Sequence, residues 1–198
     1  MTGTTTVKAF ATHAGMEASE TVSSTFTHRP ITLAADAGTW GPFSITSVAD
    51  QYLVANRLTP APGDYPFLLR TVQIAFFPKH AGTAIRLAVY ADADGDWANG
   101  ANLLATLDTT VLNNGAALGG ATWSVYQLPA PILVTGPGDL LVGFVVLPPL
   151  TTFDWPLDPA DSGRTMMAYW ATTVPNPPVL PSYDFFGQHT TALIRASD

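Results

Sequence analysis

The chain has 198 residues, enough to bury one sizeable core, and is 47% hydrophobic but only 12% charged, about half the charged fraction of an ordinary soluble domain. A formal net charge of −7 argues against binding to nucleic acid or to an anionic membrane surface, because both require basic patches. The sequence contains no cysteine, which excludes disulfides, thiolate zinc sites and a cysteine nucleophile.

The first 28 residues are rich in Thr and Ser with scattered apolar side chains. This composition predicts an extended arm or first strand over residues 1–28, followed by one domain over residues 29–198. Residues 1–18 lack the basic stretch and apolar run of a secretory signal. No apolar run approaches the roughly 20 residues of a membrane helix, so we expect no membrane insertion.

The rest of the chain is dominated by Thr, Val, Ala, Pro and Gly, a mixture that disfavours helix and favours short strands divided by turns. Residues 67–77 form the strongest apolar segment and predict a buried central strand, with Arg70 pointing outward by the period-two rule. Further strands are predicted at residues 31–34, 43–48, 51–58, 83–90, 102–111, 122–128, 132–134, 140–147, 164–173, 183–186 and 190–195.

Two proline-rich segments separate the last of these strands. Residues 148–163 contain so many prolines and turn formers that we expect a long surface loop, and residues 175–181 form a second such excursion. The whole pattern predicts an all-β protein, a two-sheet antiparallel β-sandwich of jelly-roll-like topology with long proline-rich loops.

Residues 92–100 are the densest acidic cluster of the chain and connect two strand-like runs, which predicts the tip of a β-hairpin. Carboxylates at alternate loop positions can converge on a hard cation. The spacing is not that of an EF-hand, because Gly95 is the fourth residue rather than the sixth and Leu103 is the twelfth. The alternative is a solvated turn built from Asp and Gly. The predicted ligands of a structural calcium ion are Asp92, Asp94, Asp96 and Asn99.

Exposed aromatic rings can stack on sugar rings, and several aromatic residues lie in predicted turns or loops. We name Trp97, Trp155 and Tyr183 as candidate ligand-binding residues, with core capping as the equal alternative. Trp97 is the most suggestive because it lies within the acidic loop, where a calcium ion and a stacking ring can support one site.

No constellation in the sequence predicts an enzyme. The four histidines are dispersed, and no Gly-x-Ser-x-Gly elbow is present, so neither a zinc site nor a hydrolase triad has support. A glycosidase pair would have to come from aspartates. Asp154, Asp158 and Asp161 near Trp155 are the least implausible set, but turn-forming aspartates in a solvated loop are the favoured interpretation.

A family resemblance is found in three stretches of the sequence, which are residues 50–58, residues 85–96 with 103–105, and residues 128–144. Together, over residues 45–147, the chain resembles β-sandwich accessory modules of large secreted or surface-attached bacterial proteins. The resemblance implies a non-catalytic accessory or structural module at an extracellular or cell-surface location. The proline-rich C-terminal third departs from the pattern.

We therefore expect a non-enzymatic structural subunit of an extracellular or surface assembly, such as a filament, sheath or layer. Sheet proteins protect their edge strands with Lys, other charges or Pro, and this chain has two lysines, which predicts a homo-oligomer or polymer joined by strand edges and terminal segments. The alternatives are a calcium-stabilised carbohydrate-binding module with a glycan partner and a viral capsid or decoration protein.

Overall fold

The computed structural model describes residues 3–28, 30–39, 41–48, 51–95, 101–158, 165–170 and 191–198. The chain divides into two compact units, residues 1–31 and residues 32–198. Both units are built from antiparallel strands, and the described ranges contain no α-helix, only the short 3₁₀ turns Pro62–Asp64 and Pro78–His80. The predicted all-β class is confirmed. No helix in these ranges is long and apolar enough to cross a membrane.

Fifteen strands are present in the described ranges. They are β1 (Gly3–Ala9), β2 (Val22–His28), β3 (Thr32–Ala34), β4 (Gly41–Val48), β5 (Gln51–Leu58), β6 (Phe67–Phe76), β7 (Ala84–Asp92), β8 (Asn102–Thr110), β9 (Ala117–Leu118), β10 (Ala121–Val134), β11 (Asp139–Val146), β12 (Leu150–Asp158), β13 (Thr165–Trp170), β14 (Thr191–Ala192) and β15 (Ile194–Ser197).

The first unit is the β1–β2 hairpin, which replaces the single arm or strand predicted there. The described residues of the second unit form three sheets. Two have five strands each, in the orders β3-β15-β6-β10-β9 and β13-β5-β11-β7-β8, and the third has the order β14-β12-β4. The apolar segment predicted as a central strand is β6, which lies between β15 and β10, and Arg70 on it is exposed as expected.

Strand β11 is buried along its whole length. All eight of its residues are buried, the pattern of a strand covered on both faces, and it pairs with β5 on one side and β7 on the other. At its centre Gly143 stands opposite Ala55, and a Cβ atom at Gly143 would lie 2.6 Å from the Ala55 Cα and closer still to the Val54 carbonyl oxygen. The ladder therefore has no room for a side chain at this position.

Aromatic side chains join the three sheets of the second unit. The ring of Phe144 on β11 lies 5.0 Å from that of Phe76 on β6 and 5.8 Å from that of Trp155 on β12, both edge to face. Phe153 on β12 lies 5.8 Å from Phe76. Edge-to-face contacts at these centroid distances are favoured by the ring quadrupoles, so the cluster fixes how these strands pack.

The expectation of a surface loop over residues 148–163 was wrong. Residues 150–158 form β12, which pairs with β4, and Phe153, Trp155 and Leu157 are buried. Pro156 stands opposite Pro42, so two prolines, which lack an N–H donor, share one position of the ladder and leave the other pairs able to bond. The predicted loop 175–181 and strand 183–186 lie outside the described residues.

The prediction of two separate strands around Pro129 and Pro131 was also wrong. Residues 122–128 and 132–134 were predicted as separate segments, but β10 runs through both. The register against β6 shifts between Gln127 and Ile132, so the intervening Pro129 and Pro131 lie where the ladder is interrupted.

We predict that Gly143→Ala destabilises the protein by about 2–4 kcal/mol, because the new methyl group overlaps main-chain atoms that cannot move without breaking the β5–β11 ladder. Urea unfolding would measure the loss. Gly41→Ala is the matched control, since Gly41 also lies in a strand but no atom is within 4 Å of its added Cβ. Equal stability of the two variants would contradict the close approach.

Candidate functional site

The acidic loop lies at the end of a hairpin, as predicted. Strands β7 and β8 pair from Ala84 and Thr110 to Ala91 and Asn102. Residues 92–95 of the loop are described, whereas residues 96–100 are not. The predicted calcium ligands Asp96 and Asn99 and the candidate ring of Trp97 therefore lie outside the described residues.

Asp92 is the last residue of β7 and is only 2% exposed. Its Oδ1 accepts a hydrogen bond from the main-chain N–H of Gly95 at 3.2 Å, whereas its Oδ2 is buried and has no hydrogen-bond partner. Asp139, the first residue of β11, stands opposite Asp92 in the ladder. Two buried aspartates thus lie on adjacent strands at one end of the sheet.

The surroundings of Asp92 disfavour its charged form. Burial raises the pKa of this carboxyl above its ordinary value, the Asp94 carboxyl and the charge of Asp139 raise it further, and the hydrogen bond from Gly95 opposes the shift. Loss of hydration and nearby like charge both act against ionisation.

Asp139 differs from Asp92 because its charge is compensated. It is 8% exposed, accepts a hydrogen bond from Thr59 Oγ1 at 2.5 Å, and lies 3.2 Å from Nε of Arg57. The sequence analysis did not identify Asp139 as a neighbour of the acidic loop. The pairing of β7 with β11, which no local pattern encodes, brings the two aspartates together.

A cleft of about 540 Å³ opens beside these carboxylates, and an adjoining one has a volume of about 240 Å³. Tyr65 lines both, and its hydroxyl donates a hydrogen bond to the Gly138 carbonyl oxygen at 3.1 Å. Gly138 has a φ of +119°, and a Cβ there would lie 2.7 Å from the Cα of Ala93. The larger cleft is lined by Thr59, Pro60, Pro62, Ala93, Asp94 and Pro137.

Trp155 is not an exposed platform. It is 1% exposed and its ring packs 5.0 Å from that of Phe43 and 5.8 Å from that of Phe144. The prediction that it binds a ligand from a loop is wrong, because the ring belongs to the core and has no face open to solvent. Tyr183, the third candidate ring, lies outside the described residues.

The aspartates near Trp155 are also buried rather than solvated. Asp158 is 0% exposed and accepts hydrogen bonds from the Ala37 N–H at 2.7 Å and from Thr39 Oγ1 at 2.6 Å. Asp154 is 4% exposed, and Asp161 is outside the described residues. Each of the two described carboxylates binds residues of the same chain that are distant in the sequence, and so contributes to the stability of the fold.

The partners of Asp154 include the residue types of a hydrolase triad in a different arrangement. Ser44 Oγ donates to Asp154 Oδ1, and Lys79 pairs with Asp154 Oδ2. His80 Nε2 lies 3.1 Å from the Asp154 main-chain nitrogen and 3.2 Å from its Oδ2. In a triad the histidine lies between serine and aspartate, whereas here Ser44 and His80 both contact the aspartate. The arrangement connects β12 to β4 and to the turn that carries Lys79 and His80.

Within the described ranges no three acidic, histidine or cysteine side chains form a group that could hold a metal. Asp92 and Asp94 supply two carboxylates at the hairpin root. A comparison with protein-family models, curated proteins and solved structures finds no match for this chain.

We predict that Asp154→Asn lowers the stability at pH 7 by about 1–3 kcal/mol, since it weakens charged hydrogen bonds. Burial alone would raise the Asp154 pKa, but Lys79, Ser44 and His80 outweigh it and hold the pKa below its ordinary 3.8. A lowered folded-state pKa stabilises the fold above about pH 4, and this contribution is lost as the pH falls further.

Thermal melts between pH 2.5 and pH 7 would therefore show a shallower acid loss for Asp154→Asn than for the wild type. Glu17→Gln makes the same change of charge at an exposed residue and should leave the profile unchanged. Parallel acid profiles for the wild type and Asp154→Asn would contradict the role of this network.

Proposed function

We propose that the protein is a non-enzymatic structural subunit that associates with copies of itself at an extracellular or cell-surface location. The observation that carries this proposal is the β1–β2 hairpin, which has an apolar face open to solvent. The resemblance of residues 45–147 to accessory modules of surface-attached proteins supports the location and the absence of catalysis.

The two faces of the hairpin differ in chemistry. Val7, Ala9 and Val22 share one face, because Ala9 stands opposite Val22 and alternate residues of a strand point the same way. The other face carries Thr, Ser and Lys8, and Thr6 Oγ1 lies 3.2 Å from Thr25 Oγ1 across it. Val7 is 51% exposed and Val22 is 68% exposed. This alternation is typical of a strand pair with one buried face.

A two-stranded ribbon is marginally stable in water without further packing. Covering the apolar face would therefore stabilise the hairpin, and the loop between its strands adds Phe10 at 65% and Met16 at 73% exposure. We assign a second copy of the chain as the cover, because the second unit offers strand edges with few charges to repel a partner.

Strand β8 is the longest such edge. It pairs with β7, and within the described ranges no strand pairs with its other side. Its one charged residue, Asp108, is bound by Arg86 at 2.5 Å, and Leu104 is 40% exposed. Long edges without Lys or Pro are templates for pairing with another chain.

The fold that we infer for the second unit is the two-sheet, jelly-roll-like sandwich expected from the sequence. Contacts of Phe76 on β6 with Phe144 on β11 support two facing five-stranded sheets. A viral capsid or decoration protein would use the same fold and the same contacts in a different setting.

A carbohydrate-binding module is the second candidate function. The 540 Å³ cleft favours it, because Tyr65 and Asp94 line this cleft and a sugar-binding site combines an aromatic ring with a few polar groups. A glycan array probed with and without chelator tests it, and an array without retained glycan would overturn it.

Val7→Lys should weaken self-association at least tenfold, because burying a lysine in the apolar hairpin interface is costly. Light scattering across a concentration series would measure the mass. Thr4→Lys is the matched control, since Thr4 is exposed on the opposite face of the same strand. Equal effects of the two lysines would contradict a specific apolar interface.

Thr106→Lys should likewise reduce assembly by placing a charge on the outer face of the β8 edge, where natural edge strands often carry lysine. Ala81→Lys adds the same charge at an exposed turn position and should leave assembly unchanged. Negative-stain microscopy would show whether ordered polymers form. A wild-type protein that is monomeric at high concentration, with a protease-sensitive segment over residues 1–25, would overturn the proposed function.

A further inference from the structure

Most buried carboxylate oxygens described in the second unit have a hydrogen-bond or ion-pair partner. Asp139 is paired with Arg57 and Asp154 with Lys79, while Asp158 accepts bonds from Ala37 and Thr39. Among the described residues, the only carboxylate oxygen that is buried without a hydrogen-bond partner is Oδ2 of Asp92.

An unpaired buried carboxylate oxygen is costly, because it loses its hydration without gaining a partner. Asp139 stands opposite Asp92 in the ladder and is also buried, so a second carboxylate lies on the adjacent strand. Arg57 does not relieve Asp92, because its Nε lies against Asp139. Oδ2 of Asp92 thus has no hydrogen-bond partner among the described residues, and a bound cation would compensate its charge.

We propose that Asp92 and Asp94 bind a calcium ion at the root of the β7–β8 hairpin. Both carboxylates are hard oxygen ligands, and calcium completes its shell of six to eight oxygens with main-chain carbonyls and water. Magnesium is disfavoured because it requires near-ideal octahedral geometry and retains its own water. Asp94 is exposed, which gives the ion a path from solvent.

Two carboxylates make a weak site, with a dissociation constant of about 10⁻⁴–10⁻³ M, the range of extracellular modules. Such an ion compensates the charge of Asp92, holds the carboxylates of Asp92 and Asp94 together, and stiffens the chain where β7 leaves the sheet. Its effect is on stability, because ligand binding to the folded state raises the melting temperature by mass action.

Thermal melts with increasing calcium chloride, at constant ionic strength, test the site. We expect the wild-type melting temperature to rise by about 3–5 °C at ten times the dissociation constant, with a smaller rise in magnesium chloride. Terbium luminescence, competed by calcium, would report binding directly. Asp94→Asn should abolish both responses, and it remains foldable because Asp94 is exposed. Asp92→Asn should abolish them too.

Asp108→Asn is the matched control, because it removes one carboxylate from the same hairpin at an exposed position and should preserve the calcium response. A melting temperature unchanged by 20 mM calcium chloride, or an undiminished response in Asp94→Asn, would overturn the proposal. The same melts of the Val7→Lys variant separate ion binding from assembly, since the site lies in the second unit and does not require a neighbour.

Discussion

The close packing around β11 is the constraint on which the second unit depends. The strand has eight buried residues, and Gly143 allows β5 to approach it more closely than any side chain would permit. One residue further on, Phe144 contacts Phe76 and Trp155 from two other sheets. A strand buried on both faces tolerates little change of volume, and it holds a polar residue only where that residue has a partner, as Asp139 has in Arg57 and Thr59. The ladder and the aromatic cluster therefore position the elements that carry the acidic loop and the β8 edge.

The protein has few charged residues, and several of its described aspartates are buried and paired with residues that are distant in the sequence. The Asp36 side chain, which has no exposed surface, is bound by Arg195 at 2.7 Å, a residue 159 positions away. The ties of Asp139, Asp154 and Asp158 also connect distant parts of the chain. Buried ion pairs contribute little net stability but strongly disfavour arrangements in which one partner is missing. We infer that these few charges select one arrangement of the strands. Asp92 differs because one of its buried oxygens, Oδ2, has no hydrogen-bond partner among the described residues.

The hairpin and the second unit differ in whether their apolar side chains are covered by other strands. In the second unit, apolar alternation is matched by sheets that cover it. In the hairpin, the same alternation leaves Val7 and Val22 exposed. Monomeric proteins carry scattered exposed apolar residues, but two on one face of a marginal ribbon support the contact surface that we propose. An assembly of copies would extend to the hairpin the burial that the second unit achieves alone.

The sequence alone determined the features that depend on local pattern. Apolar runs between turn residues predict β5 and the central position of β6, and a strand, an acidic turn and a second strand predict the β7–β8 hairpin, because these signals are local properties of the sequence. Only the tertiary structure decided that residues 150–158 are a strand, that Trp155 is buried and that Asp92 meets Asp139. Prolines argue locally against a strand, yet β12 is stabilised by β4, more than 100 positions away in the chain. Burial and charge compensation arise from such non-local pairing, which no short stretch of sequence encodes.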